Sequence, residues 1–239
     1  MSKIIVLFIF SVFTLNAFCH PKIIFSKGKS KLLRADNILN VSRGMLVIDN
    51  DIIVTGPKGL VIVKSKASTY KVSKNSRLEL DLSTKEIINS DINYGSVVVE
   101  FLKEKLNDSK GKTLQIKSKT AILGVRGTKF FAHVDPQNEN SILSVDHGSV
   151  AFRGRNSKKE RLVKRKSSSM TNKNSTSLRQ RKFGFESKIN WNVSESKGTL
   201  NHKKGLYLAL SKTWNKYKDE NAKKWGKRAD EMKNLWNNN

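Results

Sequence analysis

From residue 41 to 102 the apolar residues come in short runs separated by polar turns. "GMLVI" is followed by "DND", then "IIVT", "GPKG" and "LVIVKSK". Next come "TYKV", the turn "SKNS" and "RLELDL", in which Leu78, Leu80 and Leu82 alternate with charged residues. That period of two predicts a half-buried strand. In Gly56-Pro57-Lys58-Gly59 the proline presets φ and the glycines free the backbone, which predicts a tight turn. "YGSVVVEFL" reads as a strand opened by Gly95. After the polar loop "KEKLNDSKGK" the pattern resumes through "TLQIKS", "TAIL", "GVRG", "TKFFAHV", "DPQNEN", "SILSV", "DHG" and "SVAF". Within it Thr128, Phe130, Ala132 and Val134 share one face, and Lys129, Phe131, His133 and Asp135 the other. Turn signals about 8–12 residues apart predict an all-β fold.

The two halves of this region resemble each other. "DIIVTGPKGLVIVKSKASTYKVSKNSRLEL" aligns with "LQIKSKTAILGVRGTKFFAHV" and the later "ILSVDHGSVAF". Each half has a strand, a Gly-x-x-Gly corner, a long strand, a turn and another strand. Gly56–Gly59 then corresponds to Gly124–Gly127. A repeated unit of this kind predicts short strands stacked in a solenoid-like or sandwich-like arrangement.

Past Gly154 the alternation stops. "RGRNSKKERLVKRKSSSMTNKNSTSLRQRK" is rich in charge, Ser and Asn, too polar to offset ordering entropy, and reads as a flexible basic linker over 154–182. "FGFESKINWNVSES" carries Phe183, Phe185 and Trp191, which suit a short strand or a docking segment. From Gly205 a helical period appears. Leu206, Leu210, Trp214, Tyr217, Trp225, Ala229, Met232 and Trp236 recur at three, four or eight residues, and Lys212, Lys216, Lys223 and Lys227 lie largely elsewhere. This predicts a C-terminal amphipathic α-helix over about 205–236 within the segment 183–239.

Charge changes the picture of partners. The chain of 239 residues holds 46 Lys+Arg and 20 Asp+Glu, a formal net of +26. From Arg153 onward there are 24 Lys+Arg and 7 Asp+Glu, so most of the excess lies in the last third. A basic tail commonly marks a nucleic-acid binder, but the first residues point elsewhere. In "MSKIIVLFIFSVFTLNAFCH", Lys3 precedes an apolar run from Ile4 to Phe13, and Ala17 and Cys19 are small residues at −3 and −1 of a cut before His20. This reads as a secretory signal peptide over 1–19, with a lead-in over 20–39. The apolar run is short for a span of about 20 residues. Cys19 is the one cysteine, so the exported chain has no disulfide or thiolate metal site. Lipidation of Cys19, giving a membrane-associated lipoprotein, is the minority reading, because Phe18 stands where a lipid-modified signal has a small residue.

The chemistry at Gly124–Gly127 has three readings. A catalytic loop lacks support: there is no Gly-x-Ser-x-Gly elbow, and Asp146, His147 and Ser149 adjoin in sequence instead of converging from separate elements. His20, His133, His147 and His202 show no metal-ligand spacing. A nucleotide-gripping Gly-x-x-Gly loop joins helices, whereas strand patterns flank this one. The third reading is a β-corner. Gly124 and Gly127 permit positive φ and close backbone approach, Val125 turns into the core, Arg126 reaches outward, and Thr128 and Phe130 open the next strand.

"SKTAILGVRGTKFFAHV" resembles the signature of the FecR-like domain family, a Thr-Ala-x-x-Gly-Val-Arg-Gly-Thr-x-Phe core followed by a later Gly-Ser/Arg-Val segment, here Gly148-Ser149-Val150. "GMLVIDNDIIVTGPKGLVIV" and "NSRLEL" are similar to the family's opening half. The resemblance covers about residues 40–153. The family's usual Pro before Thr-Ala is Lys119 here, and the acidic residue that often follows Gly-Thr is Lys129. The resemblance implies an all-β, solenoid-like extracytoplasmic domain. Its best-known members relay transport signals to a cytoplasmic sigma factor, but only three residues precede the apolar run here, and iron signalling is not carried over.

The expectation is a non-enzymatic exported protein, periplasmic or secreted, that binds or scaffolds in the bacterial cell envelope without a cofactor. The motif corner, Gly124, Val125, Arg126, Gly127, Thr128 and Phe130, is either structural or a contact for an envelope protein partner. Trp214, Tyr217, Trp225 and Trp236 form a stripe for surface binding, with the basic tail meeting an anionic membrane or polymer. Nucleic acid is not an expected partner. The alternative is a periplasmic sensor of a transporter-linked signalling system without the anti-sigma segment.

Overall fold

Strands form where β-branched and aromatic residues concentrate between Gly, Asn and Ser turns. In the computed structural model, which describes residues 20–82, 87–106, 113–137, 139–172, 174, 180, 182–194 and 196–199, there are fifteen of them. The first seven are β1 (Lys22–Lys27), β2 (Ser30–Arg34), β3 (Asn37–Asn40), β4 (Ile52–Thr55), β5 (Leu60–Lys64), β6 (Ser68–Val72) and β7 (Ser76–Asp81). The long β8 (Asn89–Phe101) follows, then β9 (Leu114–Ser118), β10 (Ala121–Val125), β11 (Thr128–Val134) and β12 (Ser141–His147). The last are β13 (Ser149–Gly154), β14 (Glu160–Lys164) and β15 (Ser168–Thr171).

These strands form one sheet folded over on itself through β8. One layer runs β1-β5-β6-β8-β11-β12-β15, and the other β3-β2-β4-β7-β8-β9-β10-β13-β14. The first half of β8 pairs with β7 and β9, the second half with β6 and β11. Gly95 sits where it changes layer, at φ +95°, with the Ser76 Oγ only 2.2 Å from where a Cβ would stand. A side chain there meets both a forbidden dihedral and an occupied space. Gly95 therefore lies inside the strand and does not open it.

The core lies between the layers. Val61, Tyr70, Val97, Val99, Phe130 and Leu143 from the first layer meet Leu32, Ile53, Leu78, Ile116, Val125 and Phe152 from the second. Burying aliphatic and aromatic side chains of this size contributes about 1.5–3 kcal/mol each. Tyr70 is fully buried, donates to Ile88 O, and has its pKa raised by that burial.

The all-β expectation holds, and its finer form is corrected. A solenoid coil stacks successive turns through parallel pairs. Here every pair is antiparallel except β8 with β9, so the strands form two antiparallel layers and not a coil of stacked turns. The flexible linker is also corrected within its described part. β14 pairs with β13 and β15 with β12. Composition misled because serines of β15 are buried as hydrogen-bonded pairs, Ser168 Oγ with Ser144 Oγ at 2.6 Å and with Glu186 Oε1 at 2.7 Å. Among the described residues the helices are two three-residue 3-10 turns, Lys103–Lys105 and Glu186–Lys188. The amphipathic helix read over 205–236, with Trp214, Tyr217, Trp225 and Trp236, lies outside the described residues, as does the signal peptide with Cys19.

A strap from Phe183 to Thr199 covers the outer face of the first layer. Phe185, Ile189 and Val193 pack on Val98, Phe131, Ile142 and Met170, with Phe183 and Trp191 at the margin. Lys71 is fully buried beneath it and donates from Nζ to Asn192 O at 2.7 Å. β11 is therefore buried on both faces.

Candidate functional site

The two Gly-x-x-Gly corners do the same topological work. β4 lies in the second layer and β5 in the first, and so do β10 and β11. Each corner thus carries the chain across the core. In each unit the next two strands pair within the first layer, and a further strand returns to pair with the unit's opening strand: β7 with β4, and β13 with β10. The sequence repeat is a structural repeat of four strands.

At the second corner, alternation fixes the side chains. Val125 and Phe130 are fully buried in the core, and Arg126 is exposed between them. Gly127 takes φ +59°, which brings the chain round. Gly124 does not share this need. It has no positive φ, and a Cβ there meets only Ala151 Cβ at 3.6 Å, an ordinary contact. Thr128 supplies the link that sequence reasoning missed. Its Oγ1 donates to Arg126 O at 3.1 Å and lies 3.0 Å from Ser149 O, tying the corner to the start of β13. Gly148, at φ +75°, packs with its Cβ position 2.6 Å from Gly127 O.

A cleft of about 280 Å³ opens beside this corner. It is lined by Glu100, Phe101, Leu102, Glu104, Gly127, Thr128, Lys129, Asp146 and His147. Register places Lys129 opposite both Glu100 and His147, and Lys129 Nζ lies 2.8 Å from Glu100 Oε1. Asp146 is held by Lys166 Nζ at 2.7 Å, not by His147. So Asp146, His147 and Ser149 do not assemble a triad. Among the described residues no group of three or more His, Cys, Asp or Glu is placed to hold a metal ion. His133 stands away from the cleft: it is buried, its Nδ1 lies 2.8 Å from Ser96 Oγ, and burial lowers its pKa to about 4. The cleft is a mixed-charge surface in which Lys129 and Asp146 are held in ion pairs with Glu100 and Lys166.

No protein-family model matches the chain, and no curated protein matches it. Two crystal structures of a putative anti-sigma factor from Parabacteroides distasonis are similar to part of it, with TM-scores of 0.45 and 0.46 and 15% sequence identity. Each match covers 55% of this chain and 59% of that protein. The chain therefore spans less than two thirds of the length of the protein it matches.

Proposed function

We propose that the protein is a non-enzymatic binding module of the bacterial cell envelope and that a protein partner contacts it at the Gly124–Phe130 corner. The observation that carries this is exposed Arg126 beside a cleft walled by Glu100, Glu104, Lys129, Asp146 and His147. Exposed charge arranged in both signs selects a partner through complementarity and disfavours wrong ones. The leader-like first 19 residues support an envelope location. The Lys- and Arg-rich sequence after Arg153 supports a second contact, with an anionic surface.

Capture from envelope fractions tests the corner. Immobilised residues 20–239 are expected to retain a discrete protein that the Arg126→Glu, Glu104→Lys double variant releases. Retention unchanged by the double variant would place the contact elsewhere.

A further inference from the structure

The ends of β10 and β13 opposite the corner have a different character. Here β13 passes to β14 through a turn whose cleft, about 410 Å³, is lined by Arg153, Arg155, Asn156, Ser157 and Lys158. Arg153 projects from the outer face, opposite Ile122 and Glu160 in register. Its Nη1 is steadied by Ser157 O at 3.4 Å and Arg155 O at 3.5 Å. Arg155 is steadied by Ser118 O at 3.0 Å and stands 4.0 Å from Asp91. Among the described residues no carboxylate lies within ion-pair distance of Arg153, Lys158 or Lys159, whereas Lys119, Lys129 and Lys166 each have one.

The same face carries exposed Leu162, opposite Ala151, and exposed Lys164 one step further along β14. Leu162 is 54% exposed, one of four exposed large apolar side chains among the described residues. Lys117 adjoins Ile122 on this face. The acidic groups in register along this face are Glu160, Asp91 and Glu79, fewer than the cations Arg153, Arg155, Lys158, Lys117 and Lys164. Guanidinium groups held in place by carbonyls suit a phosphate oxygen, because little freedom remains to be lost on binding. Cations on the same face as an exposed leucine match an anionic interface that has polar headgroups above and acyl chain below.

We propose that this end of the sheet docks on an anionic phospholipid surface, with the Arg153–Lys158 cleft holding a headgroup phosphate and Leu162 entering the interface. The site belongs to the folded body and is separate from the corner. It rests on an envelope location and on nothing at Arg126.

Co-sedimentation of residues 20–239 with vesicles tests it, using phosphatidylglycerol mixed into phosphatidylcholine against phosphatidylcholine alone. Each cation near an anionic surface is worth about a fivefold change in partition, so the Arg153→Ala, Lys158→Ala variant should bind about 25-fold more weakly. Arg126→Glu should change little, which separates this result from failure of the corner reading. Residues 20–239 contain no cysteine, so Leu162→Cys carrying an environment-sensitive dye reports insertion without competing labels. A blue shift on phosphatidylglycerol vesicles alone is expected. Circular dichroism of each variant confirms folding. Undiminished binding by the double variant, or a dye that does not respond, overturns the proposal. Saturation by millimolar inorganic phosphate with no preference for vesicles overturns it as well, in favour of a soluble phosphate.

Discussion

The two corners share a sequence pattern and a topology, and they differ in what surrounds them. At the first, the β1–β2 turn closes over the backbone. Gly56 N donates to Lys29 O at 2.9 Å, and Gly28, at φ +71°, sits with its Cβ position 2.3 Å from Lys58 O. The β6–β7 turn covers it as well, through Asn75 N to Gly56 O at 3.1 Å. At the second, Gly148 of the β12–β13 turn packs on Gly127 O, and the space beside Gly127 is a cleft, with Lys103 Cβ the nearest atom at 4.0 Å. One motif thus serves a closed structural joint and an open one. The pattern specifies the turn, and the neighbours decide whether the turn is available to anything else.

The largest expected effect is at the closed corner. Gly28→Ala combines a left-handed backbone with a clash against the Lys58 carbonyl, and should cost about 3 kcal/mol or more. Urea melts of residues 20–239 read it. A cost below about 1 kcal/mol would mean that the turn is loose and the two corners are not distinct.

The units should also differ in acid. β5 carries no buried histidine, whereas β11 carries His133, with a pKa lowered to about 4 by burial. A depressed histidine stays neutral in the native state while the unfolded chain takes up a proton. Its contribution is therefore complete above the ordinary value near 6.5 and falls as pH drops from there toward about 4, by up to about 1.4 kcal/mol per pH unit. The pH dependence of the melts should flatten over that window in His133→Gln. An unchanged slope would show that His133 is already protonated in the fold.

Within Gly124–Gly127 itself the costs are smaller. Gly127→Val places a β-branched residue at φ +59° and should cost about 1–3 kcal/mol. Gly124→Ala meets only Ala151 and should stay within about 0.5 kcal/mol. If Gly124→Ala proved as costly as Gly127→Val, the second corner would be as tightly enclosed as the first. Arg126→Ala is the smallest stability change, close to zero, yet it should weaken partner capture.

Much of this was readable in advance. The alternation of Leu78 and Leu80 and the shared face of Thr128, Phe130, Ala132 and Val134 stand as read, and the structure buries all six. That the opposite face is buried too was not legible, because Phe131 is covered by Phe185, Ile189 and Val193, about fifty residues downstream, and periodicity says nothing about a distant cover. Gly95 was taken for a strand opener because a glycine at a layer change and a glycine at a strand start look alike in sequence. β15 was missed because serines that bond one another resemble serines that bond water. At the site, Arg126 was legible as outward-facing. The cleft was not, since its walls come from β8, β11, β12 and the 3-10 turn at Lys103–Lys105.

Photo-cross-linking in intact cells tests most directly whether the open corner is a contact surface. A photoreactive residue replaces Arg126 in one strain and its counterpart Lys58, also exposed, in another. The expected result is a discrete heavier species from position 126, lost when Glu104→Lys is added, and none from position 58. Adducts of equal yield from both positions, or from 58 alone, would contradict the assignment of binding to the Gly124–Phe130 corner.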